Sequence, residues 1–184
     1  MARSRVYSIG YQLRGVADFI ELLQAAGVAA VIDVRETPWS HRRGYSAKPL
    51  RELLRQHDID YVHARFAGNP KALRTQAESH AQSLALYAAH LSDQPALIEQ
   101  FDETIRPWLD RGQNVCLLCY ERHPADCHRA VLAYRWQLVT NADETVTHLD
   151  PLGAPRFTTH QIETIAEWAS GAALAPGASG TTAR

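Results

Sequence analysis

Short apolar runs alternate along this chain with longer amphipathic stretches, and this alternation limits the possible folds more than any other feature of the sequence. Parallel strands joined by crossover helices produce such a pattern. The five predicted strands are Val6–Ile9, Ala29–Val34, Ile59–His63, Asn114–Cys119 and Thr145–Leu149. Residues 115–119 are all apolar, as expected of a strand that is covered on both sides. We therefore predict an α/β fold: a single three-layer domain with a mostly parallel five-stranded sheet and helices on both faces.

The longer stretches carry helical patterns and helix stop signals. The first predicted helix, Val16–Ala26, repeats its apolar residues at the spacing of one helical face and stops at Gly27. The other predicted helices are Pro49–Gln56, Ala81–Leu91, Pro95–Leu109, Cys127–Leu138 and Thr159–Ala169. Asp93 and Asp126 are predicted to cap the helices that follow them. The polar, irregular segment Arg65–Ser79 is predicted to be a long loop, a place where functional residues often lie.

The length of 184 residues suits one domain with a substantial core, which we place at residues 1–169. Residues 170–184 are rich in Gly, Ala, Ser and Thr without periodicity, and a flexible tail is predicted there. No apolar run reaches the length of a membrane span or a secretion signal, so we predict a cytoplasmic protein with no membrane partner. The three cysteines are closely grouped, unlike a secreted disulfide framework, and reduced thiols are expected.

Reactive and charged residues recur at the carboxyl ends of the predicted strands, where open parallel sheets bind their ligands. The candidates at these strand ends are Gly10, Tyr11, Asp33, Arg35, His63, Cys119 and Glu121. Because the formal net charge is only -1, an anion site must be a local feature and not a property of the whole molecule. The pattern predicts one ligand site at a single rim of the sheet.

Arg35 follows a buried run and is a candidate ligand for an anion. A guanidinium offers a planar fork of donors that matches a phosphate or a carboxylate, and Asp33 could orient it. The alternative is a structural ion pair between Arg35 and either Asp33 or Glu36. Both interpretations are open at this point.

The segment from Cys119 to Arg129 connects a strand to a helix start, where backbone amides and the helix dipole attract anions. Arg129 would add charge-assisted donors to this pocket. The same positive environment would favour a Cys119 thiolate, so Cys119 is a candidate nucleophile. Glu121 is a candidate general acid or base, or a ligand for a substrate hydroxyl or amine.

Cys127 and His128 are further candidates for ligand binding. Cys127 shares a predicted helical face with Val131, Tyr134 and Leu138, which favours a buried core thiol over a catalyst. His128 could cap the helix or face solvent.

A metal site built from Cys119, His123, Cys127 and His128 is an alternative use of these residues. Their spacing does not match the paired patterns of familiar zinc modules. A site that uses both Cys116 and Cys119 is disfavoured, because Cys116 precedes Cys119 by three residues in a strand and should point to the other face. We therefore predict no metal, and the sequence indicates no particular cofactor.

The loop Pro38–Tyr45 contributes the candidate ligand-binding residues Ser40, Arg42 and Tyr45. Basic residues alternate here with Trp39 and Tyr45, a combination that can follow a phosphate backbone and stack on bases. A small anionic ligand or a nucleic acid is therefore the predicted partner. A solvated basic loop is the alternative.

Several of these motifs together resemble a known family. They are Ser8–Tyr11, Val31–Arg35, Gly44–Ser46, Tyr61–His63, Gly68–Pro70, Leu117–Glu121 and Cys127–Arg129. Their order and spacing over about residues 5–150 resemble the domain-of-unknown-function 488 family, a family of bacterial α/β proteins without an agreed activity. The resemblance implies the fold and this choice of site, and it implies no reaction. A weaker similarity to rhodanese-like domains rests on the Asp-Val-Arg strand end, but the loop after Cys119 lacks the glycine of a rhodanese cradle.

Three functions follow from these alternatives. The preferred one is an enzyme that binds a phosphate-bearing ligand, either a nucleotide or a nucleic acid, and acts on it with Cys119 and Glu121. The second is a non-catalytic nucleotide- or DNA-binding module, in which Arg35 and Arg129 matter for affinity. The third is a thiol-based redox or metal-binding protein.

Overall fold

Five parallel strands form a single sheet in the computed structural model, which describes residues 4–149. The strands are β1 (Arg5–Gly10), β2 (Val28–Asp33), β3 (Asp60–His63), β4 (Asn114–Cys119) and β5 (Thr145–His148). Their order across the sheet is β3-β2-β4-β1-β5, and all neighbouring strands are parallel. The predicted strands are confirmed, and their bounds differ from the observed ones by at most one residue.

Six α-helices accompany these strands within the described residues. They are α1 (Val16–Ala25), α2 (Ala47–Arg55), α3 (Lys71–Gln76), α4 (His80–Asp93), α5 (Pro95–Leu109) and α6 (His128–Thr140). Short 3₁₀ helices lie at Arg65–Ala67 and Pro124–Asp126. Each strand is thus followed by helical structure before the next parallel strand begins, which confirms the α/β prediction.

Two apolar cores, one on each face of the sheet, produce the three-layer architecture. On β4, Val115, Leu117 and Cys119 belong to one core, whereas Cys116 and Leu118 belong to the other. Helices α4, α5 and α6 pack on the first face, and α1 and α2 pack on the second. The pleat of the strand therefore places Cys116 and Cys119 on opposite faces, as predicted.

The segment Arg65–Ser79 is not the long loop that its polarity predicts. It contains the 3₁₀ helix Arg65–Ala67 and the short helix α3. The sequence of α3, Lys-Ala-Leu-Arg-Thr-Gln, opens with residues of high helix propensity. None of its side chains is buried, so no apolar periodicity marks the helix in the sequence.

Both predicted helix caps are wrong by one residue. Asp93 is the last residue of α4, and Gln94 occupies the N-cap of α5. Asp126 belongs to the 3₁₀ helix that begins at Pro124, and Cys127 occupies the N-cap of α6. The thiol of Cys127 therefore lies at a helix end where unpaired backbone amides concentrate partial positive charge.

The predicted helix Thr159–Ala169 and the predicted tail at residues 170–184 lie outside the described residues. Between residues 4 and 149, no helix combines the length and the apolar character that crossing a membrane would require. The cytoplasmic location stays a prediction.

His148, at the end of β5, should make the stability of the fold depend on pH. Its Nδ1 lies 2.7 Å from the Ser8 hydroxyl oxygen. Burial, the largest cause, and the charge of Arg129 lower the pKa of His148 from 6.5 to about 4. The ring of His148 therefore binds a proton more readily in the unfolded chain than in the folded chain. Stability should be complete above about pH 6.5 and should fall by about 3 kcal/mol as the pH decreases toward about 4.

Urea unfolding at several pH values between about 7 and about 4 measures this loss. The variant His148→Gln should lose less stability over the same range, because its side chain takes up no proton on unfolding. An identical pH dependence in both proteins would show that other groups cause the effect.

Candidate functional site

A cavity of about 820 Å³ opens at the carboxyl ends of the strands. The predicted site residues that line it are Tyr11, Arg35, Ser40, Arg42, Cys119, Glu121 and His128. They come from distant parts of the chain, and the sheet brings them together because β2 and β1 lie on either side of β4. Ligands of open parallel sheets bind at this edge, so the cavity is the candidate site.

Four reactive side chains, three of which line the cavity, form a compact group, which we call the floor cluster: Cys119, Glu121, Cys127 and His128. One thiol, carboxylate or imidazole atom of each lies within 4.8 Å of the others. The thiols of Cys119 and Cys127 donate to Glu121 Oε2 over 3.3 and 2.9 Å. The cluster forms because β4 ends at Cys119 and α6 starts directly after Cys127, so both ends of the connecting loop meet at the sheet edge.

His128 is held in one orientation by the backbone that follows β2. Its Nε2 lies 2.9 Å from the carbonyl oxygen of Val34, so we assign the ring proton to Nε2, which donates to this carbonyl. In the neutral ring Nδ1 is then unprotonated, and it lies 3.6 Å from Cys119 Sγ. This nitrogen can accept a thiol proton or bind a cation. The expectation that His128 faces solvent or caps the helix is wrong, since the side chain is buried in the site.

Burial and mutual contact change the acidity of the floor cluster. Burial, the largest cause, raises the pKa of Glu121 to about 7 and also raises the pKa of the Cys119 thiol. Burial alone would raise the pKa of Cys127 too, but the hydrogen bond with Cys119 and the charge of Arg129 bring it well below its ordinary value. Of the two thiols, that of Cys127 therefore ionises at the lower pH. Its charge raises the pKa of His128 against the effect of burial.

Arg129 holds the loop at the base of the cavity. It is 1% exposed, and its guanidinium donates to the carbonyl oxygens of Glu121 and Arg122 over 2.6 and 3.0 Å. Its Nε donates to Ser8 Oγ over 3.1 Å. These bonds fix the position of Glu121 and place a positive charge beside the floor cluster. All three nitrogens of the Arg129 guanidinium thus donate to acceptors of the protein, and its predicted contact with an anion stays a prediction.

Arg35 forms a buried ion pair, which is the alternative that the sequence left open. Its Nη2 and Nε donate to the carboxylate of Asp33 over 2.5 and 2.8 Å. Its Nη1 donates to the Tyr11 hydroxyl and to the carbonyl oxygen of Tyr45. Burial acts against the charge, but Asp33 raises the pKa of Arg35 above its ordinary value, so the pair stays ionised. Arg35 borders the cavity, but most of its guanidinium N–H groups already donate hydrogen bonds to other groups of the protein.

Three other predicted ligand residues do not line this cavity. Gly10 packs so closely on the next loop that a Cβ atom there would lie 1.8 Å from the carbonyl oxygen of Glu121. Tyr45 stacks on Tyr11 with ring centroids 4.4 Å apart. His63 Nε2 donates to the carbonyl oxygen of Arg35 over 2.8 Å. These residues position the groups that line the cavity.

Cys127 is buried, as the core-thiol prediction states, and it is also a member of the floor cluster. The helical face on which that prediction was based is buried only in part, since Leu138 is 56% exposed. His123 is exposed and does not belong to the cluster. The metal-ligand set considered from the sequence is therefore wrong in one residue. The observed cluster contains Glu121 and does not contain His123.

The cavity residues that the sequence did not reveal come mainly from the segment Arg65–Ser79 and the start of α4. Asn69, Arg74 and His80 line the cavity. Asn69 is buried, and its Nδ2 donates to Ser83 Oγ over 3.1 Å, whereas its Oδ1 has no hydrogen-bond partner among the described residues. The many polar residues in this segment are the sequence feature from which these cavity residues could have been predicted.

The loop Pro38–Tyr45 carries aromatic and basic side chains at the rim of the cavity. Trp39 is 60% exposed, and Tyr120, which follows β4, is 44% exposed. Arg42 Nη2 donates to a backbone carbonyl over 2.8 Å, whereas its buried Nε lacks a hydrogen-bond partner within the part of the chain that the structure describes. Ser40 Oγ accepts a hydrogen bond from the Arg42 amide and so stabilises the loop.

Fold and site together define a parallel α/β protein with a thiol cluster at the carboxyl ends of its strands. The family described as domain of unknown function DUF488 matches residues 15–136, and the chain belongs to this family. The matched region contains the entire floor cluster. No curated protein and no solved structure matches the chain significantly. The similarity to rhodanese-like domains stays a prediction.

Proposed function

We propose that the protein is an enzyme that binds a phosphate-bearing ligand of nucleotide type in the cavity and acts on it with the floor cluster. The observation that carries this proposal is that a thiol, a carboxyl group and an imidazole, those of Cys119, Glu121 and His128, border the same cavity of about 820 Å³. A cavity of this size accommodates a small organic ligand. Groups that can transfer protons or attack electrophiles, gathered in one concave site, are typical of catalytic centres.

Arg42 is the favoured ligand for the phosphate. Its Nε is buried and has no hydrogen-bond partner among residues 4–149, so it gains a charge-assisted hydrogen bond when an anion arrives. Arg74 is 50% exposed and pairs with Glu36 over 2.6 Å, so a phosphate could replace that carboxylate. Arg35 and Arg129 contribute positive charge, but their guanidinium groups already donate hydrogen bonds to acceptors within the protein.

Aromatic and polar groups favour a nucleotide over a simple anion. Trp39 and Tyr120 expose ring surface in the cavity wall, and nucleobases stack on such surfaces. The Oδ1 of Asn69, which has no hydrogen-bond partner in the part of the chain that the structure describes, can accept a hydrogen bond from a base amino group. Glu78 and Asp126 also line the cavity, and carboxylates accept hydrogen bonds from base or sugar donors.

The chemistry is assigned to the floor cluster as a unit. Glu121 Oε2 lies within hydrogen-bond distance of both cysteine sulfurs, and His128 contacts Cys119, so a change in one group alters the charge of the others. Effects of replacing such residues are not additive. A thiol beside an oriented imidazole can pass its proton to the ring and act as a nucleophile. This contact favours an enzyme over the non-catalytic alternative.

Calorimetric titration with inorganic phosphate, AMP, GMP, CMP and UMP tests the proposal. At least one nucleotide should bind more tightly than phosphate. Arg42→Ala should weaken that binding about 10- to 100-fold, because a hydrogen bond to a charged group contributes about 1.5–3 kcal/mol. Arg43→Ala removes the adjacent exposed arginine, which lies outside the cavity wall, and should leave the affinity unchanged.

The same nucleotides are then incubated with the protein, and products are identified by mass spectrometry. Cys119→Ser and Glu121→Gln should abolish product while changing the nucleotide Kd by no more than about twofold. Glu99→Gln, at an exposed position of α5, is the control and should keep full activity. Equal loss of affinity in Arg42→Ala and Arg43→Ala, or unchanged turnover in both floor variants, would refute the proposal.

A further inference from the structure

We propose that the floor cluster is a metal site, in which Cys119, Cys127, His128 and Glu121 bind a soft divalent cation, with Zn²⁺ as the expected occupant. The four candidate ligand atoms lie within 4.8 Å of one another. Around a tetrahedral zinc ion with bonds of about 2.0–2.3 Å, neighbouring ligand atoms are roughly 3.3–3.8 Å apart. The sulfur of Cys119 lies 3.3 Å from Glu121 Oε2 and 3.6 Å from His128 Nδ1, which fits this arrangement. The Cys127–Glu121 contact of 2.9 Å would lengthen when an ion enters.

The chemistry of the donor set indicates which ion is bound. Two thiolates and an imidazole are soft and borderline ligands, which suit Zn²⁺ and do not suit Mg²⁺ or Ca²⁺. Structural zinc sites are four-coordinate and commonly combine cysteine with histidine. Glu121 provides the remaining oxygen ligand, and it lines the cavity together with Cys119 and His128. The set therefore selects zinc over the hard cations.

Hydrogen bonds from the surrounding protein hold the candidate metal ligands of the floor cluster in position. A metal-binding histidine usually donates its other ring N–H to a carbonyl or a carboxylate, which orients the ring. His128 meets this condition, because Nε2 donates to the Val34 carbonyl and Nδ1 faces the cluster. Arg129 fixes the carbonyl oxygen of Glu121 over 2.6 Å and so restrains the fourth ligand. Partners of this kind hold the ligands in place before an ion arrives.

The charges of the buried groups also favour a cation. Two thiolates and one carboxylate carry three negative charges, and Zn²⁺ would reduce them to one. The guanidinium of Arg129 is buried and donates to the Glu121 carbonyl oxygen, so it can balance this remaining charge. Ionised groups without such compensation are costly to bury. Metal binding releases the thiol protons and leaves the site close to neutral.

Metal content of the full chain is measured without any phosphate compound, so this test and the nucleotide test can fail independently. Protein purified without chelator should contain about one zinc ion per chain by mass spectrometry of the elements. After removal of the metal under reducing conditions, titration with Co²⁺ should produce thiolate-to-cobalt charge-transfer absorption and the strong visible bands of a tetrahedral site. Zn²⁺ should then displace the Co²⁺ and abolish these bands.

The cysteines provide a matched pair of variants. Cys127→Ser should lose about half of the charge-transfer intensity, because one of the two thiolate ligands is gone. Cys116→Ser should match the wild type, since Cys116 is equally buried but lies on the opposite face of the sheet. Circular dichroism establishes that each variant is folded.

Three results would contradict the proposal, and the first needs only the wild-type protein. It is the absence of a charge-transfer band when folded, reduced wild-type protein is titrated with Co²⁺. Equal loss of the band in Cys116→Ser and Cys127→Ser would do so as well. A third contrary result is a Cys119–Cys127 disulfide, detected by mass in the purified protein, together with no Co²⁺ binding after reduction. That outcome would identify a redox pair in place of a metal site.

Discussion

Replacing Asp33 with alanine should destabilise the protein by about 3–5 kcal/mol, a large part of the stability of an ordinary domain. Asp33 is fully buried, and its carboxylate accepts hydrogen bonds from Arg35 and from the Tyr61 hydroxyl, the latter over 2.7 Å. The substitution leaves the guanidinium of Arg35 buried without its counter-charge. Urea unfolding followed by circular dichroism gives the change in the free energy of unfolding.

The surface pair of Arg55 and Glu52 supplies the control. Both side chains are exposed, so Glu52→Ala should leave stability unchanged although it removes the same kind of ion pair. The double variant Asp33→Ala with Arg35→Met should be more stable than Asp33→Ala alone, because no charge stays buried. If Asp33→Ala were as harmless as Glu52→Ala, Arg35 would not depend on Asp33 and would again be a candidate to hold the ligand.

Gly10→Ala should disable the floor cluster and destabilise the fold by about 1–3 kcal/mol or more. The new Cβ would lie 1.8 Å from the carbonyl oxygen of Glu121 and 2.9 Å from the Cα of Arg122, so the loop must move. Both contacts are with backbone atoms, which cannot swing aside as a side chain can. The displaced loop would carry Glu121 away from the two thiols. Loss of the Co²⁺ bands and of product formation, in a protein that is still folded, is the expected result.

Gly15→Ala tests whether this effect is specific to position 10. Its Cβ would lie 3.4 Å from the carboxylate of Asp18, which is an ordinary contact. This variant should keep the stability, the metal binding and the activity of the wild type. Normal metal binding in Gly10→Ala would mean that the position of Glu121 does not matter to the cluster.

Much of the fold could be predicted because its elements have strong local patterns. The apolar run of β4 differs sharply from an amphipathic helix such as α1, and the five strands were located to within one residue. The short helix α3 was missed for a physical reason: it buries no side chain, so the hydrophobic effect leaves no period in its sequence. The caps of α5 and α6 were misplaced because several polar residues near each start could serve as caps.

The candidate site was predicted less completely than the fold. The strand-end rule selects Cys119, Glu121 and Arg35 because a parallel sheet collects strand ends at one edge. The rule cannot say which groups surround each side chain. Arg35 and Arg129 had the same predicted role, yet the structure pairs one with Asp33 and the other with the loop carbonyls at Glu121 and Arg122.

By itself, the sequence determined the parallel sheet and the set of reactive residues at its rim, because both follow from local patterns and one rule of chain topology. Only the tertiary structure decided that Glu121, and not His123, joins the thiols of Cys119 and Cys127. The loop between those cysteines is shaped by close packing on Gly10 and by the buried bonds of Arg129. Such long-range contacts set the position of a carboxylate, and no local pattern encodes them.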